Sequence, residues 1–339
     1  MKARIPACQL LQRFHPSSGA NAPGVAVAPP VDDWLADQVQ GAVSADHSIL
    51  QAYRLRGISA FSPMDDGDMT LPSGWVLFWP KTHQLGIWWL TWLCEQLPPG
   101  SPLEIVGEHN GGIKRVPKVL EALGLRCDKL DNARRCSLFA TQTQALPTAS
   151  AAAWQAFNLR GMQLHSHPGV FGHGKLDEGT ALLLDTLERA LQENKLPGTL
   201  LRCLDIGCGD GIISTWLAQR SQDVTAVDIN AFALEACRRT LAANLLTARV
   251  LASDVYSALG DEQFDLIVSN PPFHQERDIH YGAAGQLIRE APAHLARGGQ
   301  LILVANTFLP YADHLEATFG SFEVLADNRR FKVYRAGVR

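Results

Sequence analysis

The chain has 339 residues, 46% of them hydrophobic and 19% charged, enough for two domains of ordinary size, each with its own core. Thirty Lys and Arg against 34 Asp and Glu give a net charge of −4, so the general basic excess of a non-specific nucleic-acid binder is missing. Ordinary Gly and Pro contents, and apolar runs well short of the ~18 residues of a membrane span, argue against collagen-like, disordered and membrane-spanning classes.

In chain order, the N-terminus has Lys2 and Arg4, but Gln9, Gln12 and Arg13 break its apolar run, which does not read as a secretory signal. Seven scattered cysteines without a CxxC pair (Cys8, Cys94, Cys127, Cys136, Cys203, Cys208, Cys237) suit a reducing compartment, and a cytoplasmic protein is expected. Residues 15–31, rich in Pro, Gly, Ala and Ser without helical period, read as an irregular or extended connection. A domain boundary falls within 140–160 and is placed between 155 and 156. Beyond it, LRCLDIG (201–207), DVTAVD (223–228), ARVLASD (248–254), FDLIVSN (264–270) and GQLILVAN (299–306) are short apolar runs separated by helix-length stretches, the pattern of buried parallel strands in a βαβ array.

The two halves also resemble each other. GWVLFWPKTHQ (74–84), LPPGSPLEIVGEHN (97–110) and DNARRCSLFA (131–140) track FDLIVSNPPFHQ (264–275), LARGGQLILVANT (295–307) and DNRRFKVYRA (327–336) in the same order. A duplicated α/β fold follows, two tandem Rossmann-like domains. The first copy is degenerate: it lacks a glycine-rich turn and has Trp79-Pro80-Lys81 where the second has Asn270-Pro271-Pro272-Phe273. A docking or structural role is expected for residues 1–155, and chemistry for 156–339. Acidity also concentrates late, with 14 basic and 13 acidic residues through residue 160 and 16 and 21 after it.

Leu204-Asp205-Ile206-Gly207-Cys208-Gly209-Asp210-Gly211 closes a strand and opens a helix, so its glycines allow a tight turn and close approach of a ligand. The spacing is GxGxG, Ile212 stands where a nicotinamide-binding fingerprint needs glycine, and Asp205 sits at the strand end, which calls for a ligand with a positive group. S-adenosylmethionine meets that demand with its ammonium and sulfonium. Asp205 is expected near its amino-acid end together with Gly207, Gly209 and Gly211. Asp228 closes the next strand and suits the ribose hydroxyls, while Asp254, with Val255 beside it, suits the adenine.

Asn270-Pro271-Pro272-Phe273 is the most specific signal. The lone pair of an amine on a planar ring is delocalised, so a methylating site must hold both N–H bonds and turn the lone pair toward the methyl group. Asn270 Oδ1 and the Pro271 carbonyl are the natural acceptors, and Phe273 offers a stacking face, with Asn270 also bordering the cofactor. His165, His167 and His173 lack a completing acid or cysteine, and no metal is expected. Pro168-Gly169-Val170-Phe171 reads as a loop folding over the cofactor, with Phe171 in contact. Arg329, Arg330, Lys332 and Arg335 alternate along the last strand, either near a substrate groove or simply solvated.

PGVFG (168–172), LDIGCGDG (204–211), SNPPFH (269–274), VANTFLPY (304–311), RFKVYRA (330–336), WPK (79–81) and DNARRC (131–136) together resemble the ribosomal RNA small subunit methyltransferase C family across nearly the whole chain, least within the first 60 residues. The resemblance implies a guanine-N2 methyltransferase of 16S rRNA acting in the assembled 30S subunit, with only the C-terminal copy binding S-adenosylmethionine. The sister enzyme of 23S rRNA shares the duplication and NPPF, whereas FLPY (308–311) favours the small-subunit enzyme. Methylation of a glutamine amide in a protein, and an assembly factor in which the cofactor is structural, remain as alternatives. A duplicated pair buries one face internally, so a monomer is expected.

Overall fold

The computed structural model describes residues 1–16, 23–65, 72–196, 200–271 and 282–338. It divides into two compact units, Met1–Trp154 and Gln155–Arg339. Among the described residues no helix is long and apolar enough to cross a membrane.

The first unit contains strands β1 (Val25–Val27), β2 (Gly41–Val43), β3 (Ser59–Phe61), β4 (Trp75–Phe78), β5 (Pro102–Glu108), β6 (Asp128–Ala133) and β7 (Cys136–Gln142). Its helices are α1 (Pro6–Phe14), α2 (Asp33–Gln38), α3 (His47–Arg54), α4 (His83–Gln96) and α5 (Val116–Ala122). The sheet order is β3-β2-β1-β4-β5-β7-β6, with β7 antiparallel to both neighbours and the other pairs parallel. Val25–Val27, inside the stretch read as an irregular connection, is a central strand of this sheet, fully buried and paired with Gly41–Val43 on one side and Trp75–Leu77 on the other. Three residues between Pro- and Gly-containing segments are too few to display a period, and pairing on both edges overrides the local composition.

The second unit opens with the hairpin β8 (Gln155–Leu159) and β9 (Met162–Ser166), followed by α6 (Glu178–Gln192). Then come β10 (Leu200–Ile206), α7 (Ile212–Ala218), β11 (Ser221–Asp228), α8 (Ala231–Ala243), β12 (Arg249–Ala252) and β13 (Phe264–Ser269). The unit ends with α9 (Ala283–His294), β14 (Leu295–Asn306), α10 (Tyr311–Phe319), β15 (Glu323–Asp327) and β16 (Phe331–Gly337). Its order, β12-β11-β10-β13-β14-β16-β15, repeats that of the first sheet position for position, as the internal repeat predicts.

The five apolar runs fall on β10 to β14 because both faces of this sheet are covered. Successive residues alternate between two cores: Leu266, Val268, Ile302 and Val304 pack on one face, and Ile267, Leu301, Leu303 and Ala305 on the other. Leu303 is completely buried. Leu303→Ala is expected to lower unfolding free energy by about 2–5 kcal/mol, measurable as a lower urea midpoint with unchanged slope.

Candidate active site at the carboxyl ends of the second sheet

Parallel strands in register end together. Asp205 pairs with Ala226 and Val268, Asp228 with Ala252, and Ile206 with Ser269, so the residues that close β10, β11, β12 and β13 line one edge. Across four adjacent strands this edge spans roughly 14 Å.

Gly207, Gly209 and Gly211 all have positive φ. A Cβ on Gly207 meets nothing within 4 Å, and one on Gly209 only the Gly207 carbonyl at 4.0 Å, so this part of the turn faces open space. Gly211 is different: a Cβ there would lie 2.8 Å from Cys237 Cα, so the packing of α7 on α8 demands glycine at this position. Val227 O accepts from Gly207 N–H at 2.8 Å and Cys208 N–H at 3.0 Å. Asp228 accepts from Gly209 N–H at 3.0 Å through Oδ2 and from Asn230 N–H at 2.9 Å through Oδ1, binding the turn to the end of β11.

Asp205 is fully buried. Ser214 Oγ donates to its Oδ2 at 2.5 Å, while Oδ1 is buried without a hydrogen-bond partner. Burial pushes this carboxyl up to about 7, the nearby Asp228 and Asp210 charges push the same way, and the Ser214 hydroxyl opposes them. Asp210 is pushed up to about 6, again by burial. The turn therefore gathers three carboxyl groups, and one buried acceptor is left over for a donor from outside.

Asp254 follows β12 and is half-buried; its backbone N–H donates to Ser257 Oγ at 3.0 Å. Val255 beside it is buried with φ +51, a region that β-branched residues rarely enter. Ser253 Oγ holds it there by donating to the Val255 carbonyl at 2.9 Å. Such strain persists only where the surroundings over-determine the conformation.

Asn270 directly follows β13, and Ser269 Oγ ties that strand end to the Ile206 carbonyl at 2.7 Å. Asn270 Nδ2 donates to Asp177 Oδ2 at 3.1 Å and to Thr180 Oγ1 at 2.7 Å. Both donor hydrogens are thereby engaged, and Oδ1 is left buried with no partner, a fixed acceptor at the strand edge. Pro271 is buried next to it. Phe273 lies outside the described residues. Asp177 also caps α6, accepting from Thr180 N–H at 3.1 Å. Sequence reasoning did not find Asp177 and Thr180 as partners of Asn270. The pattern LDEGT displays a helix cap, and nothing local points to an amide 90 residues away.

The loop before α6 is pinned to the first turn of α8. Asn230 Nδ2 donates to the Gly169 carbonyl at 2.8 Å, and His167 stacks on Phe232 with ring centroids 4.2 Å apart. Burial pushes the His167 imidazole down to about 3, so it is neutral and its Nδ1 accepts from Gly169 N–H at 3.1 Å. His173 Nδ1 bonds Ser166 Oγ at 3.1 Å. These two histidines shape the loop, and Phe171 projects from it, 62% exposed.

Of the four cations expected along the last strand, only Lys332 and Arg335 lie on β16, and Arg329 and Arg330 precede it in the turn after β15; Arg330 pairs with Glu178, Lys332 with Asp327 and Arg335 with Glu323. Among its described residues the first unit has no matching site. Ala28-Pro29-Pro30 follows β1, and buried Asp32 accepts from the backbone N–H groups of Arg4, Ile5, Trp34 and Leu35. After β4 comes the buried indole of Trp79, packed so closely on Gly86 that a Cβ there would lie 2.5 Å from the ring.

Residues 161–335 match the methyltransferase small domain family, and residues 31–157 match the methyltransferase small domain N-terminal family. Ribosomal RNA small subunit methyltransferase C of Chromohalobacter salexigens is 54% identical over 338 residues, 99% of this chain and 98% of that protein. The chain belongs to the ribosomal RNA small subunit methyltransferase C family. The family member of Actinobacillus pleuropneumoniae is 42% identical over 264 residues, 77% of this chain and 78% of its own. Among solved structures, the T. thermophilus 16S rRNA N2 G1207 methyltransferase in complex with AdoMet and guanosine is similar with a TM-score of 0.84 at 26% identity, covering 99% of this chain and 92% of that one.

A side chain at position 211 must enter a left-handed conformation and displace the α8 backbone. Gly211→Ala is expected to destabilise the second unit by about 1–3 kcal/mol, read as a lower thermal midpoint.

Proposed function

We infer that the chain is an S-adenosylmethionine-dependent methyltransferase that modifies the exocyclic N2 of a guanine in 16S rRNA, with the assembled 30S subunit as its substrate. The observation that carries this reading is Asn270: a buried amide oxygen without a partner, immobilised by Asp177 and Thr180 beside an acidic glycine turn. The relatives named above act on small-subunit rRNA by name, and the T. thermophilus enzyme was seen with AdoMet and guanosine.

The turn suits this cofactor. Three carboxyl groups at Asp205, Asp210 and Asp228 oppose a phosphate and favour a cation, and the vacant hydrogen-bonding capacity of Asp205 Oδ1 fits an ammonium. Open space over Gly207 and Gly209 lets a ligand lie against the backbone. The Asp228 carboxylate, at the end of β11, suits hydroxyl donors, while Asp254 and Val255 are assigned to the adenine and the loop carrying Phe171 to folding over the cofactor. When bound, S-adenosylmethionine supplies an electrophilic methyl group.

The chain's own groups prepare the amine. Asn270 Oδ1 and the Pro271 carbonyl each accept one N–H of the guanine amino group, which fixes the nitrogen and directs its lone pair out of the base plane. Phe273 is assigned the stacking face. Once the nitrogen carries the methyl group it is strongly acidic, and its proton leaves to solvent without a dedicated base. Rate enhancement then comes mainly from positioning and from excluding water. Residues 1–155, which present Trp79 where the second unit has Asn270, are assigned to docking or structural support.

Transfer of radiolabelled methyl to 30S particles, 50S particles, naked rRNA and release factor, all from cells lacking the enzyme, tests substrate and atom together. Wild-type label is expected as N2-methylguanosine in 16S rRNA of 30S particles. Asn270→Ala should reduce the rate at least about 100-fold while the cofactor still binds. Label confined to 23S rRNA or to protein would overturn the reading.

The Asp205 carboxyl is protonated below about 7 and must ionise to pair with an ammonium. Cofactor affinity should therefore weaken as pH falls, by up to about eightfold from pH 7.5 to 6. Asp205→Asn should bind more weakly and lose most of this dependence in calorimetric titrations, which separates it from the contribution of Asp210.

A further inference from the structure

Phe308, on the loop that follows β14, is 78% exposed, the most exposed aromatic side chain among the described residues. One exposed aromatic is ordinary on a protein surface, but this one is fixed in place. On one side, Thr307 N–H donates to the Arg330 carbonyl and Thr307 Oγ1 to the Arg329 carbonyl, both at 3.0 Å. On the other, Leu309 N–H donates to the Asn306 carbonyl at 3.1 Å, and Tyr311 is buried in the core. The backbone around Phe308 is therefore held while its ring stands in solvent.

The same contacts lead to the reacting position. Arg330 pairs with Glu178, the residue after Asp177, and Asp177 holds Asn270. A Cβ on Gly179 would lie 3.3 Å from the Phe331 ring, so the first turn of α6 packs directly on this hairpin. At its tip Arg329 is exposed, has φ +70, and among the described residues makes no ion pair, although Arg330, Lys332 and Arg335 do.

We propose that Phe308 and Arg329 form a subsite for the RNA strand flanking the target guanine, with Phe308 stacking on an unpaired neighbouring base and Arg329 meeting a phosphate. This rests on the rRNA-methyltransferase reading. A guanine amine can reach Asn270 only if its nucleotide leaves the helical stack, and its neighbour then loses a stacking partner. A fixed aromatic face replaces that partner for any base, and an unpaired guanidinium supplies positive charge in an otherwise acidic half of the chain.

The test compares full-length Phe308→Ala, Phe308→Trp, Phe308→Leu and Arg329→Gln with the wild type. Two readouts are used: methyl transfer to unmodified 30S particles, and binding of a fluorescent single-stranded oligoribonucleotide containing guanine. Phe308→Ala should raise both KM and the oligonucleotide Kd about tenfold, with affinity for S-adenosylmethionine unchanged. Phe308→Trp should restore both values and Phe308→Leu should not. Arg329→Gln should weaken binding at low salt and reduce the salt slope by about one. Wild-type behaviour of Phe308→Ala, or full rescue by leucine, would overturn the subsite. Phe308-dependent oligonucleotide binding without N2-methylguanosine in 16S rRNA would instead overturn the proposed function, and with it the flanking-strand role, while keeping Phe308 as an RNA contact.

Discussion

Hydrogen bonding of β10 to two parallel neighbours, with Asp205 level with Ala226 on one side and Val268 on the other, is the constraint on which the site depends. Parallel strands in register must end on the same edge, and their connections must leave from it. That places the glycine turn after β10, the acid closing β11, the strained turn after β12 and Asn270 after β13 side by side, although Asp205 and Asn270 are separated in the chain by three strands and two helices.

Electrostatics sets what this edge accepts. Burial raises the Asp205 and Asp210 carboxyls, and the Asp228 and Asp210 charges push Asp205 further the same way. The turn tolerates them because backbone N–H groups of Gly209 and Asn230 and the Ser214 hydroxyl neutralise part of the charge. What remains is an edge rich in carboxyl groups, on which the proposal of a cationic ligand rests. At Asn270 the logic is reversed: both amide hydrogens are engaged by Asp177 and Thr180, so only an acceptor is offered.

The two units show that one strand order can present different residues at the same edge. Both sheets have the same strand order, yet the first places Pro29-Pro30 after β1 and the bulky Trp79 after β4. An amide whose oxygen is left without a partner and an indole packed on Gly86 occupy equivalent points of the same topology. The site, and not the sheet, decides the activity.

Much of the second unit was legible in the sequence. Strands buried on both faces are continuously apolar, and the turn after β10 needs glycine where φ is positive, so β10 to β14, the glycine turn and the strand-end acids declare themselves locally. The internal repeat likewise survives as matching order along the chain. Other features have no local trace. Val25–Val27 is a strand only because Gly41–Val43 and Trp75–Leu77 pair with it. The hold of Asp177 and Thr180 on Asn270, the packing reason for Gly211, and the exposure of Phe308 are likewise products of distant segments meeting. Local pattern determines which residues prefer strand, turn and core, because those preferences act between near neighbours. Which side chain finds which partner across 90 residues is decided only by tertiary structure, because register and packing alone bring them within hydrogen-bonding distance.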